Sequence, residues 1–322
     1  MVAVKQMIED GEVLNRRDQV GRTSLHVAIL FNSVEVGCFL IDAGARMTAR
    51  LVGGRTSLHL AAQMGQVSLV KKLLERSAFN KEKEEKRKME EATLAKETEG
   101  VRMSSEDDWS SSESDDEKPH RKPPAYAKQG EPDKDSDALE DNEEEPDILE
   151  ISVHDWDFGL TALGYGILSG SVGVVDALLV AGADPSFATP LHPLALTIYT
   201  QDEERAAVIA ERLIAAEAIS SMANEFLFTI FHRIVAAGKT KIVASLLEHD
   251  PNAKKVVNSP AWYCFWLVFP IVSAIDAGDY ATLSLLLAHG AILSYSPEDI
   301  SRAKEKWYAE QPCLWSRQIL TD

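Results

Sequence analysis

Apolar residues recur along most of this chain at the spacing of short amphipathic helices, and the helices come in pairs. Leu25 and Ala28 share one face of a first predicted helix, and the apolar segment at residues 36–41 follows as a second helix. The same order of apolar positions returns over residues 58–74. Polar turns separate these segments. The pattern predicts an all-α chain in which small helix pairs stack on one another.

The pairing is set by an internal repeat. The octapeptide that begins at Gly21 returns almost unchanged at Gly54, 33 residues later. A period of this length is typical of stacked helix pairs that cannot bury their apolar faces alone. Thr23 and Thr56 stand at predicted N-cap positions. Gly44 is expected to end the first copy in a left-handed conformation, whereas the second copy offers only a serine there.

Several segments are similar to the ankyrin-repeat consensus. Residues 58–65 read Leu-His-Leu-Ala-Ala-Gln-Met-Gly, residues 174–185 contain Leu-Leu followed by Ala-Gly-Ala-Asp, and residues 189–192 are Thr-Pro-Leu-His. Two degenerate copies follow, around residues 229–247 and 269–291. The resemblance covers nearly everything outside residues 81–150 and implies an ankyrin-repeat α-solenoid. It also implies a surface that binds other proteins, while the fold alone specifies no partner.

Four regions are expected from these patterns. N-terminal ankyrin repeats occupy residues 1–80, a charged and acidic insertion residues 81–150, C-terminal repeats residues 151–294, and a capping helix with a tail residues 295–322. The chain begins inside a repeat, because residues 4–11 read as a second helix without a first one. The repeats on both sides of the insertion are predicted to form one continuous stack, since separating them would expose two apolar faces.

The insertion carries most of the charge. Its 12 Lys/Arg and 25 Asp/Glu give −13, which leaves −5 of the net −18 for the rest of the chain. Opposite charges four residues apart at 81–98 indicate that the preceding helix continues as a solvated helix. From Gly100 to Asp147, many Ser, Asp, Glu and Pro residues and few large apolar ones predict disorder. A second acidic block, residues 133–145, either attracts basic proteins or keeps the stack soluble.

Five serines of the insertion have an acidic residue three positions further on, which resembles the sites of acidophilic kinases. They are Ser104, Ser105, Ser110, Ser112 and Ser114. Each phosphate would add about −1.5 to −2 charges. The alternative is an unmodified loop that only solubilises the protein.

Composition narrows the remaining classes of function. The folded part is mildly acidic and lacks the basic footprint that nucleic-acid phosphates require. Three separated cysteines argue against a disulfide framework and place the chain in a reducing compartment, cytoplasmic or nuclear. No secretory signal leads the sequence. The apolar run at residues 261–275 is too short to span a bilayer and is predicted to be the buried start of a repeat. We expect a monomer without membrane contact.

No motif points to catalysis. The ankyrin resemblance gives His26, His59, His192 and His232 a structural role, in which the imidazole joins neighbouring loops through backbone hydrogen bonds. One histidine per repeat does not form a cluster with metal-ligand spacing. Phosphate-binding glycine loops and nucleophile elbows are missing from the sequence. The chain is expected to be neither an enzyme nor a carrier of a cofactor or metal.

In ankyrin proteins, partner contacts come mostly from the hairpin tips and the exposed side of the first helices. The resemblance therefore implies six partner-binding positions here: Gln19, Arg22, Phe31, Arg55, Met64 and Phe158. The three apolar members would anchor a partner, unless neighbouring loops bury them. The two arginines would form a basic edge or pair with nearby acids.

We therefore expect a scaffold or adaptor that binds another protein through the repeat surface and carries a phosphorylatable acidic loop. Two alternatives remain open. The chain could be the ankyrin portion of a larger protein, such as a tankyrase-like poly-ADP-ribosyltransferase without its catalytic domain. It could also be an acidic chaperone for basic nuclear or ribosomal proteins.

Overall fold

The computed structural model describes residues 14–102, 145–187, 191–223, 228–263 and 266–293, together with residues 6, 298 and 301. Over these ranges the chain is a stack of helix pairs. The pairs are α1 Ser24–Leu30 with α2 Val34–Asp42, α3 Ser57–Gln63 with α4 Val67–Arg102, α5 Ala162–Leu168 with α6 Val172–Val180, α7 Pro193–Leu196 with α8 Glu203–Ala215, α9 Ile230–Ala236 with α10 Thr240–His249, and α12 Pro270–Asp276 with α13 Tyr280–Ala288. A 3-10 turn, Thr197–Tyr199, follows α7, and the short helix α11, Pro251–Val256, follows α10.

The predicted helix starts and the predicted glycine stop are confirmed. Thr23 and Thr56 each form a capping box with the histidine three residues on. Thr161 and Thr229 cap α5 and α9 in a similar way, through bonds of 3.3 and 3.2 Å from the third amide of the helix. Gly44 has φ +93°, a conformation that only glycine adopts readily. Local sequence chemistry therefore sets where most repeats begin and end.

Helix α4 continues well past the end of its repeat. Ser77 stands where the first copy has Gly44, so nothing at that position forces the chain to turn. The helix runs on to Arg102, a total length of about 54 Å at 1.5 Å per residue. Ion pairs join Lys86 to Glu82 at 2.7 Å and Arg87 to Glu84 at 2.7 Å. The helical extension predicted from the charge spacing is thus present.

The stack continues across the insertion, as predicted. When the chain returns, the Asp147 carboxylate accepts the amides of Met47 and Thr48 at about 3 Å, and the Ser77 hydroxyl accepts the amide of Leu149 at 2.8 Å. One apolar core then runs from Leu25 through both sets of repeats. Asp147 and Leu149 therefore belong structurally to the stack, although the predicted insertion, residues 81–150, includes them.

The apolar run at residues 261–275, predicted to be the buried start of a repeat, begins with two antiparallel strands, β1 Ala261–Tyr263 and β2 Trp266–Val268. Among its described residues, Ala261, Phe269 and Ile271 are buried. Aromatic and β-branched residues favour extended backbone, and Pro270 then starts α12 at its first position. The helical solenoid keeps its architecture, because this hairpin only joins two repeats.

Other predictions fall outside the described residues. These are the five candidate phosphoserines, the half-repeat at residues 4–11 except residue 6, and the C-terminal capping helix except residues 298 and 301. Helix α7 begins after a histidine N-cap. His192 is the N-cap residue, with Nδ1 accepting the amide of Leu194 at 3.1 Å, and Pro193 follows at the first helical position.

Candidate protein-binding surface

The hairpin tips of the first three repeats line up along the stack. Single backbone bridges close the turns at residues 50–56 and 154–161. Arg17 Nη1 donates to the carbonyl of Arg50 at 2.8 Å, which ties the first tip to the second. The amide of Trp156 donates to the carbonyl of Gly53 at 2.9 Å, which ties the second tip to the third. Residues at equivalent positions of these turns therefore form one edge of the solenoid.

Large apolar side chains stand exposed on this edge and on the adjoining first helices. Phe31 and Met64 are the C-cap residues of α1 and α3, at equivalent positions, and they are 73% and 45% exposed. Phe158, at the third tip, is 61% exposed. Neighbouring loops therefore do not bury the three apolar residues expected to anchor a partner. We call Val20, Phe31, Val52, Met64, Trp156 and Phe158 the apolar edge.

The two arginines at equivalent positions pair with local acids. Arg22 Nε lies 2.8 Å from Asp18 Oδ2, and hydrogen bonds from the backbone amide and guanidinium of Arg22 lower the pKa of Asp18. Arg55 Nη2 lies 3.7 Å from Asp157 Oδ2. Exposed pairs of this kind add little stability, but they balance the charge beside the apolar edge. Gln19 is exposed in the first turn, between Asp18 and Val20.

Trp156 is a member of the apolar edge that the sequence reasoning missed. Its indole is exposed, and the guanidinium carbon of Arg50 lies 5.5 Å from the ring centre, within the range of a cation–π contact. The available signal was its place two residues before Phe158 in the same turn. Leu160, which also follows in this turn, is buried and packs in the core instead.

A buried polar network holds the third tip in shape. Asp155 is buried, and its Oδ1 accepts the amides of Phe158 at 3.3 Å and Leu160 at 2.7 Å. Its Oδ2 accepts the Tyr165 hydroxyl at 2.7 Å. Burial, with the neighbouring Asp155 carboxylate, raises the pKa of Tyr165. The carboxylate thus fixes both the backbone of the turn and the helix beneath it.

Replacing Tyr165 with phenylalanine tests this network. The change keeps the ring and removes only the hydroxyl that donates to Asp155. A hydrogen bond to a charged group contributes about 1.5–3 kcal/mol, so we expect a loss of that size in the free energy of unfolding, measured by urea titration. Tyr199→Phe is the control, because the Tyr199 side chain is exposed. Equal effects of the two variants would contradict the assignment.

Two of the histidines that were expected to join neighbouring loops, His59 and His232, do so. His59 Nε2 lies 3.0 Å from the carbonyl of Val153, and His232 Nε2 lies 2.9 Å from the carbonyl of Ser259. His192 Nε2 is buried without a partner. Burial lowers the pKa of each of these three imidazoles to about 4, so they stay neutral at physiological pH.

Among the described residues, no group of three or more His, Cys, Asp or Glu side chains is placed to hold a metal ion. In the same part of the chain, no helix is both long and apolar enough to cross a membrane. The surface feature that stands out is therefore the apolar edge.

Comparisons with known proteins agree with this architecture. Residues 2–85 match the family model of ankyrin repeats, in three copies. A search of curated proteins finds no match to the sequence. Solved structures match over most of the chain, but their sequence identities are low, so the matches show a shared fold and nothing more.

The alignment with the ankyrin repeat domain of human ASB11 covers 85% of this chain and 86% of that domain, at 18% identity and a TM-score of 0.54. The ankyrin repeat domain of Bcl-3, a member of the IkappaB protein family, covers 89% and 91%, at 16% identity and a TM-score of 0.53. An ankyrin repeat domain from Acinetobacter baumannii covers 77% and 91%, at 16% identity and a TM-score of 0.50. The family model therefore shows ankyrin repeats in residues 2–85, and the likeness to these domains shows that the chain has the ankyrin-repeat solenoid fold.

Proposed function

We propose that this protein is a scaffold or adaptor that binds another protein through the apolar edge. Ankyrin repeats are protein–protein interaction modules, and modules of this kind are typically non-catalytic. The observation that carries the proposal is the alignment of exposed apolar side chains on three consecutive repeats, with Phe31 and Phe158 near its two ends. Exposing such side chains to water is unfavourable, and covering them with a partner lowers the free energy.

The chemistry of the edge favours an apolar partner surface. Aromatic residues are the usual centres of binding energy in protein interfaces, and this edge offers Phe31, Trp156 and Phe158. Arg22 and Arg55 already have acidic neighbours, so an acidic partner would have to displace Asp18 or Asp157. The partner is expected to present large apolar side chains, with polar groups toward the rim.

The test compares bound partners before and after charge is placed on the edge. Full-length wild type, Phe31→Glu and Phe158→Glu are used in proximity labelling followed by quantitative pull-down. We expect each variant to weaken capture of the same partner by at least about tenfold. This corresponds to the loss of one anchor residue that contributes about 1.4 kcal/mol or more to binding.

Tyr280→Glu is the matched control. Tyr280 is as exposed as Phe31 but lies in the last repeat, far along the stack from the apolar edge. The control is expected to capture the partner normally. An unchanged partner list for Phe31→Glu and Phe158→Glu would reject the apolar edge as the binding surface.

We propose in addition that the acidic insertion is a phosphorylated regulatory segment. The support is the acidic residue three positions after each of the five candidate serines. Treatment of the full chain with an acidophilic kinase should add phosphates that are lost when all five serines are changed to alanine, as measured by intact mass. No added mass would reject this part of the proposal.

A deletion variant distinguishes the chaperone alternative from the scaffold function. The deletion should remove only residues 103–144 and replace them with a flexible linker, because Asp147 and Leu149 bond to the stack. A scaffold keeps its partner after this deletion. A chaperone that uses the acidic segment loses its basic client.

A further inference from the structure

The last helix pair leaves exposed an apolar face whose equivalent positions are buried in the preceding repeat. Ile275 of α12 is 49% exposed, whereas Val235, the sixth residue of α9 as Ile275 is of α12, is fully buried. Leu287 of α13 is 39% exposed, whereas Leu247, its equivalent in α10, is fully buried. In the earlier repeat these positions are covered because the next helix pair packs on α9 and α10.

The exposed face continues toward the end of the last repeat. Val272 is partly exposed at a position where α9 has the buried His232, and Ile292 and Leu293 are exposed just after α13. The side chain of Asn258 holds this end of the repeat, since Nδ2 donates to the carbonyl of Gly290 and Oδ1 accepts the amide of Ile292. The face is therefore the surface on which a next repeat would stack.

We propose that the chain's own C-terminal segment, beginning at residue 298, covers this face as a single amphipathic helix. Residues 298 and 301 are helical. Glu298 is five positions after Leu293, so the two Cα atoms lie within about 18 Å of each other. A helix that begins so close to the last repeat has the reach to pack on it.

The sequence of this segment fits the role. Ile300, Ala303 and Trp307 follow at the i, i+3, i+7 spacing of one helical stripe. The intervening positions carry charge, among them Lys304 and Glu305. With the stripe against Ile275 and Leu287, the outward side is polar, which is what a solenoid needs at its end to stop further stacking. A second copy of the chain is the competing occupant.

Hydrogen exchange on the full-length protein tests the assignment. In the wild type, we expect amides of residues 300–309 to exchange at least about tenfold more slowly than an unstructured chain. Leu287→Glu places a charge in the face and should remove this protection. Val208→Glu is the matched control, because Val208 is 38% exposed but lies on α8, away from the last repeat. It should leave the protection unchanged.

A reciprocal variant guards against an indirect effect of Leu287→Glu on the last repeat. Trp307→Ser, in the tail, should speed exchange of the α13 amides around Leu287. Exchange of residues 300–309 at the unprotected rate in the wild type would overturn the proposal, as would equal effects of Leu287→Glu and Val208→Glu. A mass that doubles with concentration, and that Leu287→Glu returns to the monomer, would assign the face to a second copy instead.

Discussion

Lowering the pH from 7 to 5 is expected to remove much of the stability of the folded repeats. His59, His192 and His232 have pKa values lowered to about 4 by burial, whereas an imidazole in the unfolded chain titrates near 6.5. Between these two values the unfolded state binds protons that the folded state does not, so stability falls as the pH falls. Each histidine contributes a loss of about 2 kcal/mol at pH 5, and the three together at most about 6 kcal/mol. Urea titrations at several pH values measure this loss.

Two variants show whether these histidines carry the effect. His232→Gln removes one buried imidazole, so the slope of unfolding free energy against pH should fall by about one proton, whatever the stability at pH 7. His192→Gln should lower the slope in the same way, because burial also lowers the pKa of that imidazole. A free energy of unfolding that stays level from pH 7 to pH 5 would contradict the prediction.

Replacing Gly54 with alanine should destabilise the junction between the repeats on either side of the insertion. Gly54 has φ +76°, and an added Cβ would lie 2.5 Å from Cγ and 2.8 Å from the backbone nitrogen of Trp156. The left-handed backbone costs alanine about 1–2 kcal/mol, and the forced displacement of the third tip adds about 1–3 kcal/mol. We expect a total loss of about 2–5 kcal/mol in urea titrations.

The control for this variant is Gly44→Ala. Gly44 has φ +93°, but an added Cβ there meets nothing within 4 Å, so only the backbone cost of about 1–2 kcal/mol applies. The difference between the two variants isolates the contact with Trp156. If both variants cost the same, the second and third tips do not pack as described. Because Trp156 belongs to the apolar edge, Gly54→Ala should also weaken partner binding.

Features that depend on a few neighbouring residues were predictable. Thr23 and Thr56 cap their helices as expected because an N-cap bond joins a side chain to an amide only three residues away. The extension of α4 beyond the repeat followed from Glu82 and Lys86 in the same way. The apolar edge was predicted in part, since Phe31, Met64 and Phe158 stand at positions that the repeat places on the surface.

Features that depend on residues far apart in the sequence were not predictable. The exposure of Trp156 was not predicted, because it depends on how the turn packs against Gly53 of another repeat. The short strands before α12 arose within a run whose composition fits a buried helix as well as a strand. The pairing of Arg55 with Asp157 joins two sides of the insertion, and the sequence left a basic edge equally open.

The sequence by itself determined the repeat, its helix boundaries and the stacking of one pair on the next, because each repeat has apolar faces that only a neighbour can bury. Only the tertiary structure decided how the two sets of repeats join across the insertion and which side chains remain exposed there. Asp147 meets Met47 from a hundred positions away, and no local pattern encodes that contact. This contact forms because the buried amides at the end of one repeat need a hydrogen-bond acceptor, and the returning chain supplies one there.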